Sequence, residues 1–262
     1  MGKDQRVLFN STIFGPIHSR RLGTSLGINL SPNDGKVCSF DCLYCEAGYN
    51  SQGAGKSGLP SREKVKSLLK EKLKEMREKG ENLDVITFSG NGEPTLHPDF
   101  PGIIDDVMTL RNEFFPKAKV SVLTNSTRIF TPEVAQALKR IDNNILKLDS
   151  AVNETMRLID QPTSPSFTVD KVVESLKQFR DTGIIQTMIL RGEHDGHSID
   201  NTSEEEIRAL INAYKEIKPR EIMIYSLDRS TPEEKLVKVE KEELEKIGKR
   251  IEEETGIKVT VA

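Results

Sequence analysis

The sequence predicts an α/β fold built around a parallel sheet. From about residue 83 onward, short apolar or β-branched runs alternate with amphipathic helical patterns, the arrangement that gives parallel strands joined by right-handed crossovers. No repeat, low-complexity tract or linker interrupts the pattern, so residues 1–262 read as one domain, with residues 1–24 an N-terminal extension packed on it. α/β barrels reach this length as a single unit.

Strands are expected near 25–31, 84–89, 119–124, 144–149, 184–191, 221–227 and 258–261, with helices between them. The first long helix begins after Pro60-Ser61 and aligns Val65, Leu68, Leu69 and Met76 on one stripe. Thr131-Pro132-Glu133 supplies an N-cap, an N1 proline and an early acid ahead of Val134, Ala137, Leu138 and Ile141. Asp170 opens a helix with Val172, Val173, Leu176 and Phe179 inward, and Ser203 to Glu206 reads as a capping box before Ile207, Leu210, Ile211 and Tyr214. The last helix carries Leu244, Ile247 and Ile251 and stops at Gly256, suited to a left-handed cap. One irregular stretch, Gly48 to Ser61, reads as a surface connection, or alternatively as a flap over the segment before it.

Composition narrows the function classes. A net charge of −3 gives no general attraction to nucleic acid or anionic membrane. No apolar run reaches signal-peptide or membrane-span length, so a cytoplasmic location is expected. There, clustered cysteines are more often metal ligands or redox groups than structural disulfides.

All 3 cysteines lie in Cys38-Ser-Phe-Asp-Cys42-Leu-Tyr-Cys45. A structural zinc site would need a fourth ligand from His18, His97, His194 or His197. An iron–sulfur cluster of the [4Fe–4S] type, held by three thiolates, would leave one iron without a protein ligand. Three unliganded thiols are the remaining alternative, and the close spacing favours the cluster.

The spacing Cys-x3-Cys-x2-Cys, with Tyr44 before the last cysteine, resembles the signature of the radical S-adenosylmethionine (radical SAM) superfamily. That resemblance implies a partial (β/α)6 TIM-like barrel with metal ligands Cys38, Cys42 and Cys45. It also implies an iron–sulfur oxidoreductase in which SAM chelates the open iron through its amino and carboxylate groups. One electron then breaks the sulfonium bond, leaving methionine and a 5′-deoxyadenosyl radical that abstracts a substrate hydrogen.

Further residues extend the resemblance. Ser89-Gly-Asn-Gly-Glu-Pro94 is similar to the family's Gly-Gly-Glu-Pro segment, which binds the methionine amino group, with Asn91 replacing the first glycine. Asn91, Gly92, Glu93 and Pro94 are therefore implied cofactor contacts, with Tyr44. Thr124-Asn125 resembles a pair common at the end of that strand in the superfamily. On 144–150, alternation puts Lys147 and Asp149 on one face, either as cofactor contacts or as an ion pair inside the barrel. These clusters, together with Arg191 to His197 and Asp228-Arg229, follow or end expected strands, where parallel sheets place ligands.

Gly15 to Gly23, Gly90 to Pro98 and Tyr225 to Pro232 together look like a wyosine-synthase-like subgroup, most of whose members have no assigned substrate. True wyosine synthases modify tRNA and carry a second cluster on additional cysteines, which this chain lacks. tRNA modification, activation of a glycyl-radical enzyme and a non-catalytic zinc module stand as alternatives. Arg191, His194 and Arg229 are the candidates for catalysis. Arg20-Arg21 suits a phosphate, a carboxylate or a clasp on the barrel, and His97 suits capping. A reductase such as flavodoxin or ferredoxin is the implied electron donor.

Overall fold

The computed structural model describes residues 6–19, 23–229 and 231–262; Arg20 and Arg21 lie outside them. Residues 13–19, expected within an N-terminal extension, form a strand of the sheet itself, β1 (Ile13–Ser19), which pairs antiparallel with β2 (Gly23–Ile28). α1 (Arg62–Glu78) follows, with Ser61 Oγ accepting from Lys64 N at 3.2 Å and Val65, Leu69, Leu73 and Met76 buried.

The alternation then runs β3 (Val85–Phe88), α2 (Phe100–Phe114), β4 (Lys119–Thr124), α3 (Pro132–Lys139), β5 (Asn143–Lys147), α4 (Asn153–Asp160), α5 (Val169–Leu176) and β6 (Ile184–Met188). After β6 the chain leaves the sheet. β7 (Leu190–His194) and β8 (His197–Asp200) form a hairpin, followed by α6 (Glu204–Ile217), β9 (Glu221–Tyr225), β10 (Val237–Lys238), α7 (Lys241–Thr255) and β11 (Val259–Val261).

The main sheet has the order β1-β2-β3-β4-β5-β6-β9-β11, and every pair beyond β1–β2 is parallel. It is a partial barrel whose ends, β1 and β11, do not pair among the described residues. A second small sheet, β10-β7-β8, stands beside it.

Period-2 alternation divides each strand between two environments. Leu26, Ile86 and Val120 are register partners on one face, as are Leu146, Ile185 and Ile222, and all belong to the large core under the helices. The opposite face mixes polar pairs, with Ser25 bonded to Thr87 at 2.8 Å and Asn143 to Ser121 at 2.9 Å, with a small apolar cluster of Ile145, Ile184 and Met223. The candidate functional groups Glu93, Asn125 and Asp149 lie just beyond the ends of β3, β4 and β5.

The expected strand 184–191 is two strands. Asn201 causes the break: its Oδ1 accepts from Leu190 N at 2.8 Å, and its Nδ2 donates to Met188 O at 2.7 Å. Those backbone groups are satisfied by a side chain instead of a neighbouring strand. Gly48 to Ser61 is fastened at its start, where Lys36 Nζ donates to Gly48 O at 2.7 Å and Asn50 N to Asp41 Oδ1 at 2.8 Å, and again further along. Asp34 accepts from Lys56 N at 2.8 Å and Ser57 N at 3.1 Å, and Lys36 N donates to Gly53 O at 3.2 Å. Residues 48–50 pack against the cysteine loop, while 51–59 are largely exposed, as in a surface connection.

Candidate cofactor site at the strand ends

The cysteine loop has no regular secondary structure of its own and is held between two neighbours by backbone bonds. On one side Val37 bridges to Gly92: Val37 N donates to Asn91 O at 3.2 Å, and Glu93 N donates to Val37 O at 3.0 Å. A Cβ on Gly92 would stand 1.9 Å from Val37 O, so only glycine permits this approach. On the other side Asp41 N and Leu43 N donate to Asp160 O and Ile159 O, each at 3.0 Å, and Phe40 bridges to Pro162.

The three thiols are unbridged, with Cys42 buried and Cys38 and Cys45 half-buried. Burial pushes Cys38 up to about 11 and Cys42 well above the ordinary thiol range. Such thiols ionise when a cation takes their charge, which suits metal ligation. Asn125 Nδ2 approaches Cys38 Sγ at 3.6 Å while donating to Ser39 Oγ at 2.9 Å, and Cys42 Sγ faces Asp160 Oδ1 at 3.6 Å. Among the described residues no three His, Cys, Asp or Glu side chains converge closely enough for a single ion. Ligation of a cluster uses a different iron for each thiolate and does not require that convergence.

Glu93 is the strongest second feature. Its carboxylate is buried, and it accepts from Thr95 N at 3.0 Å, from the Thr95 hydroxyl, from Thr124 Oγ1 at 2.7 Å and from Asn125 N at 2.6 Å. Burial raises its pKa, and these neutral donors only partly oppose the shift. Among the described residues no cation pairs with it, although it acts electrostatically on Cys38. A buried carboxylate beside a cysteine loop and lacking a cationic partner fits a ligand that brings an ammonium group.

The other expected cofactor contacts fall into two groups. Asn91 is a strut: its Oδ1 accepts from Phe9 N at 2.8 Å, and its Nδ2 donates to Phe9 O and Pro32 O at 2.9 Å each. Pro94 is buried and opens a short helical turn capped by Glu93. Tyr44, Lys147 and Asp149 form one buried knot, in which Lys147 Nζ donates to Tyr44 Oη and Tyr44 Oη to Asp149 Oδ2. The ion-pair alternative for Lys147 and Asp149 is therefore the observed arrangement, extended by Asp160 at 3.1 Å from Lys147 Nζ. Burial would depress Lys147, but Asp149 and Asp160 outweigh it and hold the ammonium charged. Burial drives Asp160 up to about 8, against the pull of Lys147.

The three catalytic candidates are separated by their partners. The Arg191 guanidinium is clasped by Glu243, with Nη1 at 3.0 Å from Oε2, and also meets Thr202 and Asp200. In this arrangement it fastens β7 to α7. His194 pairs through Nδ1 with Glu233 Oε2 at 2.6 Å, and its Nε2 lies 3.1 Å from Gln161 Nε2. Asp195 Oδ2 also lies 3.5 Å from Nε2, but the shorter contact to Glu233 favours a ring proton on Nδ1, with Nε2 then accepting from the Gln161 amide. Arg229 reaches Glu46, the residue after Cys45, at 2.7 Å. Arg229 and Glu233 both line a cleft of about 460 Å³ between Leu227 and Lys238.

Three participants escaped sequence reasoning. Asp160 ends α4, whose Met156 and Ile159 spacing was the available signal. Glu233 lies in a charged loop with no motif, and Lys36 precedes the first cysteine by two residues without belonging to the signature. His97 accepts from Asp99 N at 3.1 Å and pairs with Pro60 O at 2.8 Å, fixing the approach to α2.

A profile of the radical SAM superfamily matches residues 33–200. A Brachyspira hyodysenteriae protein named GTPase Obg is 32% identical over 99% of this chain, which covers 36% of that protein. A UPF0026 protein of Methanocaldococcus jannaschii is 33% identical over 88% of this chain and 68% of its own length. The chain thus spans between about a third and about two thirds of these curated relatives. In fold it is similar to TYW1 with a lysine-pyruvate adduct bound, with a TM-score of 0.60 at 16% identity, covering 89% of this chain and 75% of that one. With the profile spanning more than half its residues and both cysteine and Glu93 segments inside that span, this chain belongs to the radical SAM superfamily, enzymes that use a [4Fe–4S] cluster and SAM.

Proposed function

We propose that this chain cleaves SAM reductively and uses the product to take hydrogen from a small molecule or nucleoside admitted at the strand-end mouth. The observation that carries the reading is Glu93: a buried carboxylate, hydrogen-bonded only by neutral donors, adjacent to three clustered thiols. Cys38, Cys42 and Cys45 would hold the cluster, and Glu93 the methionine ammonium. When bound, the cluster and SAM together supply one-electron cleavage and a carbon-centred radical.

The chain's own residues orient and shield. Gly92 lets the Glu93 loop approach the cysteine loop, and Asn125 restrains Cys38 from one side. The Tyr44, Lys147, Asp149 and Asp160 knot fills the space beside Cys42 and leaves it little access to water. On the substrate side, His194 would accept or return a proton at Nε2, oriented by Glu233, which itself lines the 460 Å³ cleft, a volume that suits a small molecule. A low-potential donor of the flavodoxin or ferredoxin kind would supply the electron.

Anaerobically reconstituted protein with SAM and dithionite should yield 5′-deoxyadenosine, and Cys42→Ala should lose iron and product together. Wild-type protein with a full cluster and no product would overturn the reading. Comparing nucleosides and small metabolites in deletion and wild-type cells identifies the substrate class. Once a substrate is in hand, His194→Gln should keep uncoupled SAM cleavage and lose substrate conversion.

A further inference from the structure

Lys36 is almost fully enclosed, with a side chain 1% exposed. Its ammonium donates to Asp41 Oδ1 at 2.9 Å and to Gly48 O at 2.7 Å. Asp41 is the residue before Cys42, Gly48 lies three beyond Cys45, and Lys36 itself stands two before Cys38. The lysine tip is therefore tied at two points inside the loop that wraps all three cysteines.

A neutral amide could join Asp41 to Gly48 as well, without the several kcal/mol needed to desolvate an ammonium. The charge calls for its own explanation. Cys45 and Cys38 both act on the Lys36 ammonium, and Lys36 and Glu93 are prominent among the charges felt by Cys38. Asp41 is 22% exposed and also accepts from Asn50 N at 2.8 Å, so the negative end of the pair is partly open to solvent while the positive end is enclosed within the loop that carries the cysteines.

Resting on the reading of these cysteines as cluster ligands, we propose that the Lys36 ammonium raises the cluster's reduction potential, with Asp41 as its counterweight. In the step concerned, one electron passes from a low-potential donor, which is oxidised, to the cluster, which is reduced; no bond forms or breaks. Reduction adds negative charge beside Lys36, and net charge and hydrogen bonding near the sulfurs set such potentials.

The test is a potentiometric titration of anaerobically reconstituted holoenzyme, using dithionite and mediators and reading the EPR signal of the reduced cluster. Lys36→Met should lower the ratio of reduced to oxidised cluster at least tenfold at the wild-type midpoint, a downward shift of about 59 mV for one electron. Asp41→Asn keeps the shape of the clip and both its hydrogen bonds, and should shift the midpoint upward. Opposite signs are required. Shifts in the same direction, or a Lys36→Met ratio within twofold of wild type, overturn the proposal. If Lys36→Met retains no cluster, Asp41→Asn decides alone, and the absence of an upward shift is fatal. Failure of the underlying reading shows separately, as wild-type protein that binds no stoichiometric iron and sulfide.

Discussion

Replacing Glu93 by glutamine removes one charge at constant shape, and the structure bounds the result. Oε1 accepts from Thr95 N, the Thr95 hydroxyl and Thr124 Oγ1, while Oε2 accepts from Asn125 N at 2.6 Å. A glutamine carbonyl in the Oε1 position keeps three of these bonds and turns its NH2 against Asn125 N, leaving one buried donor unmatched at about 1–3 kcal/mol. Part of that is offset, because the variant no longer buries a carboxylate. Binding of SAM suffers separately. A hydrogen bond to a charged partner contributes about 1.5–3 kcal/mol, so affinity should fall roughly ten- to a hundredfold. Equilibrium dialysis of SAM against reconstituted wild type and Glu93→Gln, matched for iron and sulfide, measures it. A SAM analogue lacking the amino group should bind both proteins equally weakly, which isolates the pairwise interaction. Affinity for SAM within twofold of wild type, at matched cluster content, would refute the assignment of Glu93 to the ammonium.

Three further outcomes are expected. Gly92→Ala places a methyl 1.9 Å from Val37 O; it should cost about 1–3 kcal/mol in unfolding free energy and reduce iron uptake, checked by denaturant titration and iron assay. Arg191→Ala removes a half-exposed clasp to Glu243, so it should cost about 1 kcal/mol or less and leave 5′-deoxyadenosine formation unchanged; a tenfold loss of product would place Arg191 in the catalytic set. Asp34 is lowered to about 2 by hydrogen bonds from Ser57 and Lys56, below its ordinary 3.8. Its tether on residues 56–57 is therefore present above about pH 4 and lost as pH falls through about 2. Asp34→Ala should expose that segment to limited proteolysis already at neutral pH, where the wild type stays protected.

The sheet was legible because its strands are short apolar runs separated by helices with strong apolar stripes. Register-partner residues such as Leu26, Ile86 and Val120 are the β-branched or aliphatic positions that alternation identifies. Boundaries moved where side chains replaced strand partners. Expected strand 25–31 ends at Ile28 because Asn29 Oδ1 accepts from both Ser31 N and Asn91 N at 3.1 Å, bending the chain toward the Glu93 loop. Ser203 caps α6 through Glu206 N at 3.3 Å, but the expected reciprocal arm of the box is absent, since the Glu206 carboxylate accepts from Ser150 Oγ at 2.7 Å. Motif residues were legible because a motif is local. Asp160, Glu233 and Lys36 were not, since each acquires its role from a partner that only tertiary structure supplies: Cys42, His194 and the carbonyl of Gly48.

The distribution of buried charge bears on what the strand-end mouth is for. Buried ion pairs are weak contributors to stability, since desolvation offsets much of their attraction. Yet Lys36 with Asp41, and Lys147 with Asp149 and Asp160, lie directly around three thiols, while the large core under the helices is built from apolar side chains. Stability alone would favour filling those positions with more of the same. Lys36 and Lys147 oppose the rise that burial imposes on Cys38 and Cys42, which is the environment that the proposed thiolate ligation calls for. Both lysines already have carboxylate partners, so neither is left to neutralise Glu93. The imbalance at Glu93 is then the specific part of the design: a neutral ligand would leave the carboxylate uncompensated, an anionic one would worsen it, and an ammonium group satisfies it.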